Sequence, residues 1–195
     1  MKLEILKYPD PRLREVSLPV TQFDASLKNL AADMLETMYA ENGIGLAAAQ
    51  VGELKRMLVI DASPRDTGGR YEENDQQGEL ERQIKQPLVI INPVILSGQG
   101  STTFDEGCLS VPSFYETVER KEVIELQYQN LEGETLVLKT DGLLAIVIQH
   151  EMDHLDGTLF IDRISFVKSN KIKGQIKKNG YPEKVKRAEK DDSEL

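Results

Sequence analysis

The stretch that decides the fold lies at residues 141–155 and reads D-G-L-L-A-I-V-I-Q-H-E-M-D-H-L. After the first two residues, six apolar residues follow in succession, so no polar stripe marks a solvent face. A helix that is apolar nearly all round is typical of a buried helix. Gly157 is well placed to end it, because glycine readily takes the left-handed conformation that follows a helix. The pattern therefore predicts a helix over residues 143–155 at the centre of the domain.

Two histidines share one face of this predicted helix. His150 and His154 are the only histidines in the chain, and a spacing of four places them one turn apart on the same face. Glu151 projects about 100° round the helix from His150, within reach of a water beside a shared cation. This is the H-E-x-x-H arrangement, in which the histidines bind a metal and the glutamate carries protons. The alternative is a chance pattern of polar residues, but buried histidines without partners are costly.

A metal held by two histidines needs a third protein ligand. In the large protease class whose motif continues x-x-G-x-x-H, Gly157 would fit, but the ligand position is Phe160, which cannot bind metal. Cys108 is the single cysteine, and the glycine before it and the serine after Leu109 predict a constrained loop that presents the sulfur. A lone cysteine is otherwise often a small buried hydrophobe. The acids at 156 and 162 stay open as alternative ligands.

The rest of the chain predicts one amphipathic helix and several strands. Apolar residues at spacings of three and four predict a helix over residues 27–38, capped by Asp24 or Ser26. Apolar or alternating runs predict strands at 57–60, 88–91, 121–128 and 135–140, the last two joined as a hairpin.

Three segments fit neither element. Residues 3–20 contain three prolines and predict an extended arm, and residues 43–52 are too glycine-rich for an ordinary helix and too small for an ordinary strand. Residues 62–86 are polar without an apolar pattern, which indicates a surface insertion. We therefore predict an α+β fold, with antiparallel sheets packed around a central buried helix that carries the H-E-x-x-H motif.

Composition limits the classes of partner. The formal net charge of −9 over 195 residues argues against nucleic acid as the main partner, since phosphate binding relies on clustered lysine and arginine. No apolar run approaches the about 20 residues needed to cross a bilayer. A single cysteine cannot form an internal disulfide. We expect a cytoplasmic protein that binds neither membrane nor DNA.

Three segments together resemble the signature motifs of peptide deformylases. They are G-I-G-L-A-A-A-Q at residues 43–50, E-G-C-L-S at 106–110 and Q-H-E-M-D-H at 149–154. They occur in the family's order, and Y-P-D-P-R-L-R at 8–14 resembles the family's N-terminal arm. The resemblance implies a metal-dependent hydrolase that removes the formyl group from the N-terminal formyl-methionine of new polypeptides.

The resemblance also implies roles for individual residues. Three residues would bind the metal: Cys108, His150 and His154. Glu151 would move the protons, while the Gln50 side-chain amide and the Leu109 backbone N–H would stabilise the oxyanion. Gly45 would hydrogen-bond an extended peptide. Five residues match the pocket for the methionine side chain: Ile44, Phe104, Leu143, Ile146 and Val147.

The same resemblance implies one divalent ion. Family members typically use Fe²⁺, and Zn²⁺, Ni²⁺ or Co²⁺ can occupy the same site; one thiolate with two imidazoles suits zinc as well as iron. Tyr115 departs from the family pattern, because many members have an arginine there near the peptide cleft. The rival interpretations are a small H-E-x-x-H metalloprotease or other amidase, and a structural metal-binding module.

The end of the chain is basic, in contrast to the whole. Residues 168–195 carry nine basic and five acidic side chains. We predict a catalytic domain over 1–167, with the polar insertion near 62–86, and a basic, partly helical or flexible tail over 168–195. Breaks in its helix are expected at Gly174, Gly180 and Pro182. Two interpretations stay open: a solvated terminus, or a weak contact with ribosomal RNA that falls off steeply with salt.

Overall fold

The computed structural model describes residues 1–64 and 77–182. Within these residues the chain forms three α-helices, namely α1 (Ala25–Ala40), α2 (Gly142–Leu155) and α3 (Phe166–Asn179). It also forms seven strands, namely β1 (Gly45–Ala47), β2 (Met57–Ile60), β3 (Leu88–Gln99), β4 (Thr102–Cys108), β5 (Val111–Arg120), β6 (Val123–Gln129) and β7 (Thr135–Thr140). Across these same ranges, no helix has the length and apolar character that a membrane crossing requires.

The strands form two antiparallel sheets. Five of them pair in the order β1-β2-β3-β6-β7, and β4 pairs with β5 as a separate hairpin. With helices packed on these sheets, the architecture is α+β, and the predicted fold class is confirmed.

Helix α2 lies at the buried centre of the molecule. Its Leu144 and Ile148 are fully buried and pack in one cluster with Leu58 of β2 and Ile124 of β6. The helix predicted over 143–155 is confirmed and begins one residue earlier. Just beyond its end Gly157 has a φ of 68°, and a Cβ there would lie 2.4 Å from the carbonyl oxygen of Arg14. Only glycine fits that turn.

Helix α1 covers the opposite face of the five-stranded sheet. Side chains alternate between the two faces of a strand, and in β2 Met57 and Val59 pack with Met34 of α1 rather than with α2. Of the two predicted N-caps, Asp24 and Ser26, the structure has Asp24, whose side chain accepts a hydrogen bond from the Leu27 N–H at 3.0 Å. The two helices thus pack on opposite faces of the sheet.

Several local predictions need correction. Residues 45–47 were expected to be neither strand nor helix but form β1. They pair with β2 through backbone hydrogen bonds, which small side chains do not prevent. Cys108 is the last residue of a strand rather than part of a loop. The N-terminal arm is extended except for a 3-10 turn at Pro11–Arg14. Strand β3 also continues well past the predicted 88–91.

The predicted tail begins as a helix that packs on the body. Gly174 does not interrupt α3, although a glycine break was expected there. Ile172 and Ile176 are buried against Phe160 in a third cluster, and such packing outweighs the cost of one exposed glycine, about 1 kcal/mol. Residues 183–195 of the predicted tail lie outside the described residues, as do residues 65–76 of the predicted insertion.

The described part of the insertion is fastened to the start of α2. The backbone N–H groups of Leu80 and Glu81 each donate to Asp141 Oδ1 at 3.1 Å. Glu81 itself is 1% exposed and lies in a 3-10 turn. These contacts fix the N-terminal end of the central helix from outside.

Candidate metal centre

Three donor atoms converge where the β4–β5 hairpin meets α2. The cluster contains Cys108 at the end of β4 with His150 and His154 on α2, and one ligand atom from each lies within 4.8 Å of the others. The Cys108 Sγ and His154 Nε2 atoms are 3.3 Å apart. The two histidines share one helix face because they are four residues apart, as the sequence predicted.

The chemistry around these donors fits a bound divalent ion. The Ser110 N–H donates to Cys108 Sγ at 3.4 Å, which helps to fix the position of the sulfur. The Nδ1 atom of His150 is 2.8 Å from Glu106 Oε2, so its Nε2 atom is the one left to face the cluster. One thiolate and two imidazoles form a donor set suited to zinc or iron.

The two alternative ligands are engaged elsewhere. Asp156 pairs with Arg56 at 2.8 Å, and Asp162 pairs with Arg14. Neither acid belongs to the donor cluster. The geometry of the described residues therefore favours Cys108 over either acid as the third ligand, which stays a prediction.

A buried ionic network backs the centre, and the sequence analysis missed it. Arg120 donates to both carboxylate oxygens of Glu106, at 2.6 and 2.8 Å, and to Asp153 at 2.7 Å. Arg163 also binds Asp153, with contacts of 3.0 and 2.5 Å. Burial raises the pKa of Glu106, but hydrogen bonds from Arg120 and His150 outweigh it and lower the pKa to about 2. A buried carboxylate thus stays charged beside His150.

Glu151 differs from this network because no ion pair holds its carboxylate within residues 1–64 and 77–182. Its side chain is 4% exposed, and within the described residues its Oε2 atom makes no hydrogen bond. Burial raises its pKa to about 7, since removal from water disfavours the charged carboxylate. The carboxylate also lies against the backbone of Gly45, where a Cβ would come within 2.4 Å of Oε1. The absence of a side chain at Gly45 therefore makes room for Glu151.

A cleft lies beside the donor atoms. Its volume is about 590 Å³, which includes the solvent-filled space at its mouth. Of the predicted substrate-binding residues, five line it: Ile44, Gly45, Phe104, Ile146 and Val147. Leu143 does not; it is 4% exposed and belongs to the core cluster of α2. The cleft also includes residues that the predicted site lacked: Asn42, Gly43, Glu106 and Gly107. For Glu106, the sequence signal was its place at the start of E-G-C-L-S.

Gln50 and Leu109 both line the cleft next to Cys108. Gln50 lies in the 3-10 turn Ala48–Val51, and its Oε1 atom accepts from the Ala47 N–H at 2.8 Å. Its Nε2 atom therefore points the other way, towards Cys108 Sγ at 3.5 Å. Leu109 occupies the first position of the two-residue turn between β4 and β5. The structure thus brings together every predicted catalytic and metal-binding residue.

Tyr115 packs over the backbone of the cleft wall. It pairs with Gly107 across the hairpin, and a Cβ on Gly107 would lie 2.3 Å from the Tyr115 ring. The ring is 42% exposed. Tyr115, which departs from the family pattern, therefore contacts Gly107, a residue of the cleft lining.

This fold and site define a metallohydrolase, with an H-E-x-x-H helix and a cysteine ligand on a neighbouring hairpin. Comparison with known proteins agrees: residues 2–170 match the family described as Polypeptide deformylase. A peptide deformylase from Alkalilimnicola ehrlichii is 47% identical over 176 residues, covering 90% of this chain and 89% of the relative. The chain belongs to the polypeptide deformylase family.

Solved structures of the family share this fold. Peptide deformylase from Ehrlichia chaffeensis is 36% identical with a TM-score of 0.79, covering 93% of this chain and 98% of that one. The Met-Ala-Ser-bound class I type b enzyme from Acinetobacter baumannii is 33% identical with a TM-score of 0.74, covering 84% and 99%. The protein is a hydrolase that removes the N-formyl group from new polypeptides, and its donor cluster supports binding of a metal ion.

Proposed function

We propose that Glu151 is the proton carrier of the reaction and that Cys108, His150 and His154 hold the metal ion. One observation supports the role of Glu151. It is a buried carboxylate in the cleft, it follows the proposed metal ligand His150 in the sequence, and its Oε2 atom lacks a hydrogen-bond partner among the described residues. A buried polar atom without a hydrogen-bond partner destabilises the folded protein, so its presence indicates that it interacts with a bound substrate or water. A divalent ion supplies Lewis acidity, which polarises a carbonyl oxygen and makes a water more acidic.

Glu151 connects the two proton transfers that hydrolysis of a formamide requires. It takes a proton from the attacking water as oxygen adds to the formyl carbon, and it gives that proton to the nitrogen as the C–N bond breaks. The products are formate and a free N-terminal amine. A single carboxylate within reach of both atoms serves both transfers.

Gln50 and Leu109 stabilise the oxyanion that forms between these transfers. Gln50 and Leu109 both line the cleft beside Cys108, and the Gln50 Nε2 atom is 3.5 Å from Cys108 Sγ. Donors fixed in advance stabilise charge that develops only in the transition state, at about 3 kcal/mol each. Their positions next to the ligand support this assignment.

The substrate is a formyl-methionyl peptide. Ile44, Phe104, Ile146 and Val147 give one part of the cleft an apolar wall, which suits a methionine side chain. Gly45 lies on β1, an edge strand of the five-stranded sheet, and an extended peptide can add to such an edge. The Met-Ala-Ser bound in the Acinetobacter relative supports a peptide with methionine first.

The ion we propose is Fe²⁺, with Zn²⁺, Ni²⁺ and Co²⁺ able to bind the same donors. The thiolate and the two imidazoles accept each of these ions. We also propose that the protein acts in the cytoplasm, where formylated chains are made.

A single comparison tests the activity. We expect the purified protein to hydrolyse formyl-Met-Ala-Ser and to leave acetyl-Met-Ala-Ser unchanged, because the methyl group makes the acetyl carbonyl larger and less electrophilic than the formyl carbonyl. Formate release is measured for both peptides, and metal analysis of the same sample identifies the ion. Equal rates on both peptides would point to a general amidase, and activity in metal-free protein would remove the ion from the reaction.

For the basic tail we propose a weak contact with ribosomal RNA. Helix α3 contains five lysines and no acidic residue. Lys171, Lys177 and Lys178 are exposed, while Lys168 pairs with Glu116 at 2.5 Å. Since Ile172 and Ile176 anchor the opposite face, the lysines can be changed without removing the helix.

Replacing Lys171, Lys177 and Lys178 with glutamine should weaken co-sedimentation with ribosomes at low salt. Three lost phosphate contacts lower the slope of log affinity against log salt by about 2 to 3. Turnover of a short formyl peptide should stay unchanged. The matched control changes three exposed lysines elsewhere, Lys28, Lys121 and Lys139. Equal sedimentation of all three proteins would leave the tail as a solvated terminus.

A further inference from the structure

Ser110 is buried beside Gln50 and has no role in the reaction as described so far. It occupies the second position of the β4–β5 turn, and its exposure is 0%. Its Oγ atom accepts a hydrogen bond from Gln50 Nε2 at 3.2 Å. A turn residue is usually exposed, so a fully buried hydroxyl at this tip needs an explanation.

The hydrogen bonds of the Gln50 side chain explain it. The Ala47 N–H holds Oε1, which fixes the side-chain amide in one orientation. The two Nε2 hydrogens then have two acceptors, Ser110 Oγ at 3.2 Å and Cys108 Sγ at 3.5 Å. The contact to Cys108 Sγ is the longer of the two, and Cys108 lines the cleft, so the hydrogen facing Cys108 is the one that can turn to a substrate oxygen.

The N-terminal arm holds Gln50 and Ser110 at this separation. The Leu6 N–H donates to the Gln50 carbonyl at 2.8 Å, and the Tyr8 N–H donates to the Ser110 carbonyl at 2.8 Å. The Tyr181 hydroxyl donates to the Tyr8 carbonyl at 2.7 Å and lies 3.5 Å from the Ser110 carbonyl. Both residues are therefore fixed through their backbones, and the hydroxyl of one meets the amide of the other.

We propose that Ser110 is a positioning residue for Gln50: its Oγ retains one Nε2 hydrogen so that the other is directed at the oxyanion. This inference rests on the proposed role of Gln50. Ser110 does not touch the substrate. Its removal leaves the Gln50 amide held at Oε1 alone, so the remaining N–H points less accurately at the oxyanion, which affects the transition state and not the binding of the formyl peptide.

A double-mutant cycle tests the proposal. Ser110→Ala should lower kcat roughly 3- to 10-fold, the effect of one neutral hydrogen bond, with KM and metal content unchanged. In a Gln50→Ala background the same change should have no further effect on kcat. The control is Ser17→Ala, since Ser17 is 2% exposed and its hydroxyl makes no hydrogen bond within the described residues; it should keep full kcat.

The outcomes separate the two proposals. An equal loss from Ser110→Ala in both backgrounds would overturn the positioning role, because it would show an effect independent of Gln50. Full kcat in Gln50→Ala alone would instead overturn the role of Gln50. A second measurement needs no variant: NMR of the zinc-loaded protein should show one Gln50 side-chain hydrogen shifting when a peptide hydroxamate binds. A shift of both hydrogens would contradict retention by Ser110.

Discussion

Glu151→Ala should retain its metal ion and lose formyl-peptide hydrolysis by roughly 10²- to 10⁴-fold, the usual contribution of a general acid–base group. The ligands are untouched by this change, so metal content should match the wild type. The substitution removes only the carboxylate, which is the group that we propose carries the proton from the water to the leaving amine. Formate release under saturating formyl-Met-Ala-Ser gives kcat, and metal analysis of the same protein gives the occupancy.

Glu151→Gln is the matched variant, because the amide has nearly the same shape but cannot accept the proton. It should be as inactive as the alanine variant while filling the same space beside Gly45. Thermal unfolding of both proteins checks that the cleft is intact. Near wild-type kcat in either variant, at full metal occupancy, would remove Glu151 from the assigned role.

The sequence predicted α2 and its motif because both depend on local spacing. Histidines four residues apart share a helix face whatever surrounds them, and an apolar run of this kind has no place except a core. The same argument placed α1, whose apolar residues follow the helical period and whose cap, Asp24, stands at its start. These elements needed no knowledge of their neighbours.

The β4–β5 hairpin was missed because its strands are not patterned like a half-buried sheet. In β4 only Glu106 is buried, and it is charged. A buried acid in a polar segment gives no strand signal, and its partner Arg120 lies 14 residues away in the sequence. Only the strand register brings the two together, so the network behind His150 could not be predicted from local pattern. Leu143, assigned to the methionine pocket by resemblance, packs in the core cluster of α2 together with Ile44 and Val147. Ile44 and Val147 also line the cleft, so the assignment of Leu143 stays a prediction.

Arg120→Met is expected to have the largest effect on stability in the region of the metal centre. The guanidinium is 4% exposed and joins Glu106 on β4 to Asp153 on α2. Methionine fills much of the space but leaves two buried carboxylates without this partner. Removal of one member of a buried ion pair costs about 3 to 5 kcal/mol, which chemical denaturation of the metal-loaded protein would measure.

The same change should also loosen the metal ion. Glu106 lies two residues before Cys108 and holds His150, while Asp153 immediately precedes His154. Arg120 therefore ties the strand that carries the thiolate to the helix that carries the imidazoles. Outer partners of this kind typically change metal affinity 10- to 100-fold. Competition with a chelator should extract the ion faster from Arg120→Met than from the wild type.

Arg163→Met is the control variant: it also removes a positive charge beside Asp153 but leaves the link between Glu106 and Asp153 through Arg120 intact. Arg163 binds the same Asp153, but its side chain is 49% exposed and does not contact Glu106. Asp153 keeps Arg120 in this variant, and an exposed ion pair contributes about 1 kcal/mol or less. The loss of stability should therefore be small and metal retention normal. Arg120→Lys, which keeps the charge but not the three hydrogen bonds, should fall between the two. If Arg163→Met and Arg120→Met lose stability and metal equally, the link between hairpin and helix does not run through Arg120.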